Sequence, residues 1–237
     1  MQLSMFQRKQ LVLMRQMESE LSVGTTPATI VPMQTDYAGD PQLCLTLLKT
    51  PLPPHITKRI LDRLVSPLVA IEPDFYYYSD KTLHMTIQTI RKVHNPPQYT
   101  PAHIARVKTL LTKEIHRHGP FTFDLSGVMS LPTSAAIIAL GSFEYTDFIL
   151  SLRQKLKDAD VSTDQTYYRN DIVFANCTIC RYTHRPSRKF LATLKKLRDE
   201  HIGTCVIDDV SFVETNAGVD PAKTTVFGTY RFKKNHG

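Results

Sequence analysis

Two tripeptides place a polar side chain and a hydroxyl two residues apart inside apolar runs: His84-Met85-Thr86 and Asn176-Cys177-Thr178. On a β-strand, residues i and i+2 project from one face with Cα atoms roughly 6.5–7 Å apart. His84 and Thr86 so arranged can address one small anion together. An imidazole is the side chain suited to proton transfer near neutral pH. A threonine hydroxyl can donate to a nonbridging phosphate oxygen. Asn176 and Thr178 repeat the geometry with an amide in place of the imidazole. An amide does not titrate, but it can hydrogen-bond a phosphate oxygen or hold a water.

Cations gather beside the second tripeptide. Residues 181–198 hold Arg181, Arg185, Arg188, Lys189, Lys195, Lys196 and Arg198 and no acid, seven positive charges in a chain of net charge +7. Ser187 opens the helix that follows, and helix N-terminal amides attract anions. Lys195, Lys196 and Arg198 read as a solvated helix face. Tyr168, Arg181, His184 and Arg185 are the candidate substrate-binding residues, although on a regular strand Arg181 alternates away from Thr178. His184 sits either in a loop bent back to the groove or in an exposed loop. Tyr76, Tyr77 and Tyr78 precede the first tripeptide, and Tyr167 and Tyr168 the second. They can stack a base or pack at strand ends. His116 and His118 end a helix, where cationic side chains suit the dipole, and are read as cap residues rather than metal ligands.

A chain with His-x-Thr on a strand in each of two related halves resembles the 2H (two-histidine) phosphoesterase superfamily. That group includes 2′,3′-cyclic phosphodiesterases and 2′-5′ RNA ligase-like proteins. The resemblance covers roughly residues 40–232 and rests on LHMTIQTI at 83–90, FANCTICRY at 174–182 and the element order around them. It implies a bilobal α+β fold, with two antiparallel sheets around a central groove and helices outside. It also implies a mechanism without metal or cofactor, in which two histidines flank the phosphorus and two threonines hold the nonbridging oxygens. Carried onto this chain, the catalytic set is His84, Thr86 and Thr178, with Asn176 at the second histidine position. General acid or base catalysis contributes about 10²–10⁴-fold per group. The resemblance therefore implies slowed turnover of an RNA end or small nucleotide bearing a 2′,3′-cyclic or 2′-5′ phosphodiester. The alternative is nucleotide or RNA binding without turnover on the same fold.

The elements that position these residues follow from periodicity and punctuation. Leu43 to Leu48 reads as a strand, and a proline-opened helix at 53–69 carries Ile56, Ile60, Leu64 and Leu68 on one face. Lys81 to Arg91 alternates Leu83, Met85 and Ile87 against His84, Thr86 and Gln88. Thr100, Pro101 and Gly119 punctuate the next helix. Strands at 121–128 and 135–141 precede a helix at 146–159. Asp171 to Thr183 reads as a strand, with Val173, Ala175, Cys177 and Ile179 on one face and Phe174, Asn176, Thr178 and Cys180 on the other. A helix at 187–201 and strands near 204–214 and 223–232 close the chain. The order from residue 40 is β-α-β-α-β-β-α-β-α-β-β, and its hairpins favour α+β with antiparallel sheets. Upstream, Leu3, Phe6, Leu13, Met17 and Leu21 mark a helical face, and residues 22–41 are linker-like. The expected division is a helical extension and linker at 1–39 and a two-lobed domain at 40–237.

Composition excludes several alternatives. Nine glycines never come closer than eight residues, which rules out a dinucleotide fingerprint, a P-loop and a nucleophile elbow. Any phosphate must be held by side chains or helix ends. The four cysteines do not make a disulfide scaffold. Cys177 and Cys180 fall on opposite faces of a regular strand and read as buried thiols. No run approaches the roughly 20 apolar residues of a membrane span, and the N-terminus lacks a signal-peptide pattern. The expectation is a soluble, cytoplasmic protein without a membrane partner.

Overall fold

Apolar alternation sets the sheet. On β1 (Leu43–Lys49), Leu45 and Leu47 enter the core while Cys44 and Thr46 turn to the other face. The computed structural model describes residues 3–22, 24, 28–161 and 165–233, so residues 23 and 25–27 of the expected linker lie outside it. Its helices are α1 (Met5–Ser22), α2 (Pro54–Ile60), α3 (Ser66–Val69), α4 (Pro101–Glu114), α5 (Phe143–Asp158) and α6 (Arg188–Lys196). A π-turn at Leu61–Val65 joins α2 to α3. The further strands are β2 (Tyr76–Tyr77), β3 (Met85–His94), β4 (Phe121–Leu131), β5 (Ser134–Leu140), β6 (Ala175–Arg181), β7 (His201–Ile207), β8 (Asp209–Thr215) and β9 (Thr225–Arg231). Side-chain caps at Thr100, Ser142 and Ser187 each accept a backbone N–H from the first turn of α4, α5 and α6.

The α+β architecture is built on one nine-stranded antiparallel sheet with two halves, where two sheets were expected. The strand order is β7-β4-β5-β6-β3-β1-β8-β9, with β2 beside β6. The halves β3-β1-β8-β9 and β7-β4-β5-β6 are antiparallel and meet through one residue pair, Thr86 opposite Asn176. Both tripeptides therefore lie at the seam. Ile56, Ile60, Val107, Leu111, Phe148, Leu152, Phe190 and Leu194 bring α2, α4, α5 and α6 into one core with Leu47, Met85, Ile137 and Cys177.

Helix α1 takes the opposite face. Its Met14 is buried with Met129, Ile138 and Leu140, and Leu3, Leu11, Met17 and Phe174 pack around them. Of the expected face, Leu3 and Met17 pack here and Leu21 is buried, while the helix's most buried apolar residue, Met14, was not part of it. Gln10 Nε2 donates to the Val173 carbonyl at 3.1 Å, and Glu18 accepts the Ser130 N–H at 3.0 Å and pairs with Arg198.

Three departures from the sequence expectation have one cause, which is strand pairing. The apolar run at 204–214 is two strands. β7 pairs with β4 in one lobe, and β8 pairs with β1 in the other. Helix α6 stops at Lys196 because β7 already begins at His201. Both tripeptide strands are bulged. On β6, Thr178 and Cys180 face the adjacent Ala136 and Ala135, leaving Ile179 as an extra residue. On β3, Thr86 and Gln88 face the adjacent Leu48 and Leu47, leaving Ile87 extra. A bulge reverses the alternation beyond it.

Candidate functional site

His84 directly precedes β3, at the end of a turn. The Ser79 N–H donates to Thr82 Oγ1 at 2.9 Å, and the Thr82 N–H to the Ser79 carbonyl at 3.1 Å. The Thr82 carbonyl then accepts from His84 Nδ1 at 2.8 Å. A carbonyl only accepts, so Nδ1 carries the proton and Nε2 presents its lone pair. The ring lies edge-on to buried Tyr78, with centroids 5.2 Å apart. Burial pushes the imidazole down to about 4; the Thr82 hydrogen bond opposes this and the charge of Arg181 adds to it. His84 is neutral at pH 7.

This state has a measurable sign. The unfolded ring protonates near pH 6.5 and the folded ring near pH 4. Between these values the unfolded chain binds more protons, so stability falls as pH drops through that window. Nuclear magnetic resonance of the His84 ring should show no titration between about pH 5 and 8. His84→Gln should flatten the stability slope over the same window.

Arg181 shares this space because of the β6 bulge. A regular strand would turn it away from Thr178; the extra Ile179 turns it into the cavity. Its Nε donates to Tyr78 Oη at 2.7 Å and to the Ala217 carbonyl at 2.9 Å. Tyr78 Oη in turn donates to the same carbonyl at 2.5 Å. The Arg181 Nη groups have no hydrogen-bond partner among the described residues. The guanidinium carbon lies 5.6 Å from the Tyr37 ring centroid.

His84, Thr86 and Arg181 line one cavity of about 270 Å³. Thr46, Thr89, Lys92 and Thr215 add polar walls, and Thr29, Ile30, Val31 and Pro32 close it from the N-terminal segment. A neutral base, a fixed cation and hydroxyls around a small space can hold an anion and accept a proton.

The other sequence candidates lie elsewhere. Asn176 and Thr178 share a face with their β5 partners Ile138 and Ala136. α1 packs on that face over β4 and β5; Asn176 sits opposite Thr86 at the seam, yet neither Asn176 nor Thr178 lines the cavity. His184 turns outward, with Nε2 3.4 Å from Glu72 Oε2 and its ring 4.8 Å from Phe75. Arg185 lines a separate groove beside α1 and α6. Tyr168 lies against Glu20 of α1, and burial followed by that hydrogen bond raises its pKa. Gln88 departs from the expected His84–Thr86 face because of the Ile87 bulge. It accepts from Arg153 Nε at 2.9 Å on the α5 side. The Ile179 bulge likewise brings Cys177 and Cys180 into the same core rather than onto opposite faces. Burial raises both thiols to about 12. Tyr76, Tyr77 and Tyr78 give their hydroxyls to the Gly218, Glu72 and Ala217 carbonyls, so they brace the site.

Sequence reasoning passed over Thr89, Thr215 and residues 29–32. Thr89 reaches the cavity only through the Ile87 bulge, and residues 29–32 carry a linker composition without periodicity. Among the described residues, no group of three His, Cys, Asp or Glu side chains could hold a metal ion. No helix among them is long and apolar enough to cross a membrane.

No protein-family model matches the sequence, and no curated protein matches it. Solved structures do match. TT0787 of Thermus thermophilus superposes with a TM-score of 0.57 at 13% identity, over 82% of this chain and 100% of that one. A conserved protein of unknown function from Agrobacterium tumefaciens, ATU0111, gives a TM-score of 0.58 at 13% identity, over 79% and 88%. E. coli LigT complexed with ATP gives 0.53 at 10% identity, over 81% and 98%.

Proposed function

We propose that this chain, whose fold is that of the 2H phosphoesterases, binds a small phosphodiester between His84 and Arg181 and hydrolyses it with a single histidine. One observation carries the reading. A neutral imidazole with its Nε2 lone pair available shares a small cavity with a guanidinium whose Nη groups are unengaged among the described residues. Arg181 and Thr86 hold the nonbridging oxygens. His84 Nε2 takes a proton from the attacking water. The water oxygen bonds to phosphorus as the P–O bond to one ribose oxygen of a 2′,3′-cyclic phosphate breaks, leaving a monoester. In-line displacement puts the leaving oxygen on the side away from His84. Asn176 cannot protonate it, so solvent does, and turnover slows by roughly 10²–10⁴-fold against a two-histidine site. A nucleotide ligand is supported by E. coli LigT, which has this fold and is complexed with ATP, NADP+ or 3′-AMP.

A second reading, binding without turnover, is favoured by the position of Asn176 and Thr178 outside the cavity. The full chain incubated with 2′,3′-cyclic AMP separates the two. Slow appearance of the monoester is expected. Calorimetric binding without product assigns the second reading, and neither binding nor product overturns both.

A further inference from the structure

One wall of the His84 cavity comes from an N-terminal segment of the chain. Thr29, Ile30, Val31 and Pro32 form its wall opposite Thr46, Thr86 and Thr89 of the sheet. This segment is pinned. The Thr29 N–H donates to the Thr166 carbonyl at 2.9 Å, the Thr166 N–H to Thr29 Oγ1 at 2.8 Å, and Thr133 Oγ1 to the Val31 carbonyl at 2.8 Å. Tyr37 Oη adds a bond to the Tyr182 carbonyl at 3.1 Å. Upstream, α1 buries Met14 against Ile138, next to Asn176.

What remains is small. A cavity of about 270 Å³ falls just under the roughly 300–1,000 Å³ of ordinary small-molecule sites. A second groove of about 650 Å³ lies beside α1 and α6, with Arg15, Glu18, Arg185, Lys195 and Arg198 among its walls. Neighbouring residues face the two spaces. Arg181 lines the cavity and Tyr182 the groove; Val31 lines the cavity, while Pro132, adjacent to its partner Thr133, lines the groove. The segment walls the small cavity, and the end of β6 separates that cavity from the groove.

We infer that residues 29–32 are a size filter, admitting a mononucleotide-sized phosphodiester to His84 and excluding the continuing strand of an RNA end. This rests on the phosphodiester reading above.

The test compares two probes, 2′,3′-cyclic AMP and a short single-stranded RNA ending in a 2′,3′-cyclic phosphate. The proteins are the full chain, Thr133→Val, and a looser variant adding Ile30→Gly, Val31→Gly and Pro32→Gly. None of these changes replaces His84, Thr86 or Arg181. Thermal unfolding checks that each variant is folded, and Thr133→Val alone carries the comparison if the looser one is not. Expected is a wild type that binds the mononucleotide and not the RNA, and a loosened variant whose RNA affinity rises at least about tenfold, a difference of about 1.4 kcal/mol. Equal wild-type affinity for both probes overturns the filter. If Arg181→Ala weakens both, the phosphodiester reading survives that result. Unchanged RNA affinity in every loosened variant also overturns the filter, as does a wild type that binds neither probe while a variant binds both. No binding of either probe by any protein overturns both readings.

Discussion

Replacing His84 with alanine is expected to cut turnover of a 2′,3′-cyclic nucleotide by about 10²–10⁴-fold, the usual loss on removing a general base. Binding should change much less, because the anion is held by Arg181 and Thr86 rather than by the imidazole. The effect should fall on kcat, with KM nearly unmoved. His84→Gln is the matched control. It keeps volume beside Tyr78 and can donate to the Thr82 carbonyl, yet it cannot titrate. It should lose turnover as fully as His84→Ala. The pH profile carries a second signature. Burial holds the free ring near pKa 4, so kcat/KM should stay flat through neutrality and fall only on approach to that value. A bound phosphodiester anion favours the charged ring, so the limb in kcat should lie at higher pH than the limb in kcat/KM. An acidic limb near the ordinary histidine value in both parameters would remove His84 as the base.

Arg181→Ala is expected to weaken binding of the same nucleotide by roughly 10- to 150-fold, since hydrogen bonds to charged groups contribute about 1.5–3 kcal/mol. The loss should appear in calorimetry at fixed ionic strength. Arg181→Lys should not restore it. The Nε donations to Tyr78 Oη and the Ala217 carbonyl orient the guanidinium fork, and an ammonium cannot reproduce them while also reaching the anion. Full affinity in Arg181→Ala would mean that the cavity does not hold the phosphate through this residue.

The helices were legible because their signals are local. Thr100 and Ser187 cap helices as their types require, and Ile56, Ile60 and Leu64 mark a buried face. His84 and Thr86 do line one cavity, although His84 lies in the turn before β3 and not on the strand that its spacing suggested. What failed to read depends on partners far along the chain. Nothing near Ile179 or Ile87 announces a bulge; each is fixed by the register against β5 or β1. Those two residues decide that Arg181 and Thr89 enter the cavity and that Gln88 leaves it. The run ending at Thr215 divides because its two parts pair in different lobes. Residues 29–32 have no periodicity to betray that they close the site, because their backbone bonds go to Thr133 and Thr166.

The helix laid over one lobe also changes what position 176 can hold. A side chain there has Phe174 two residues before it and Ile138 across from it, both under the cover of Met14. An imidazole would titrate there and bring a charge that changes with pH. An amide carries the same donors and acceptor at every pH. The covered lobe then lends the site the fixed charge of Arg181, and the open lobe carries the proton on His84.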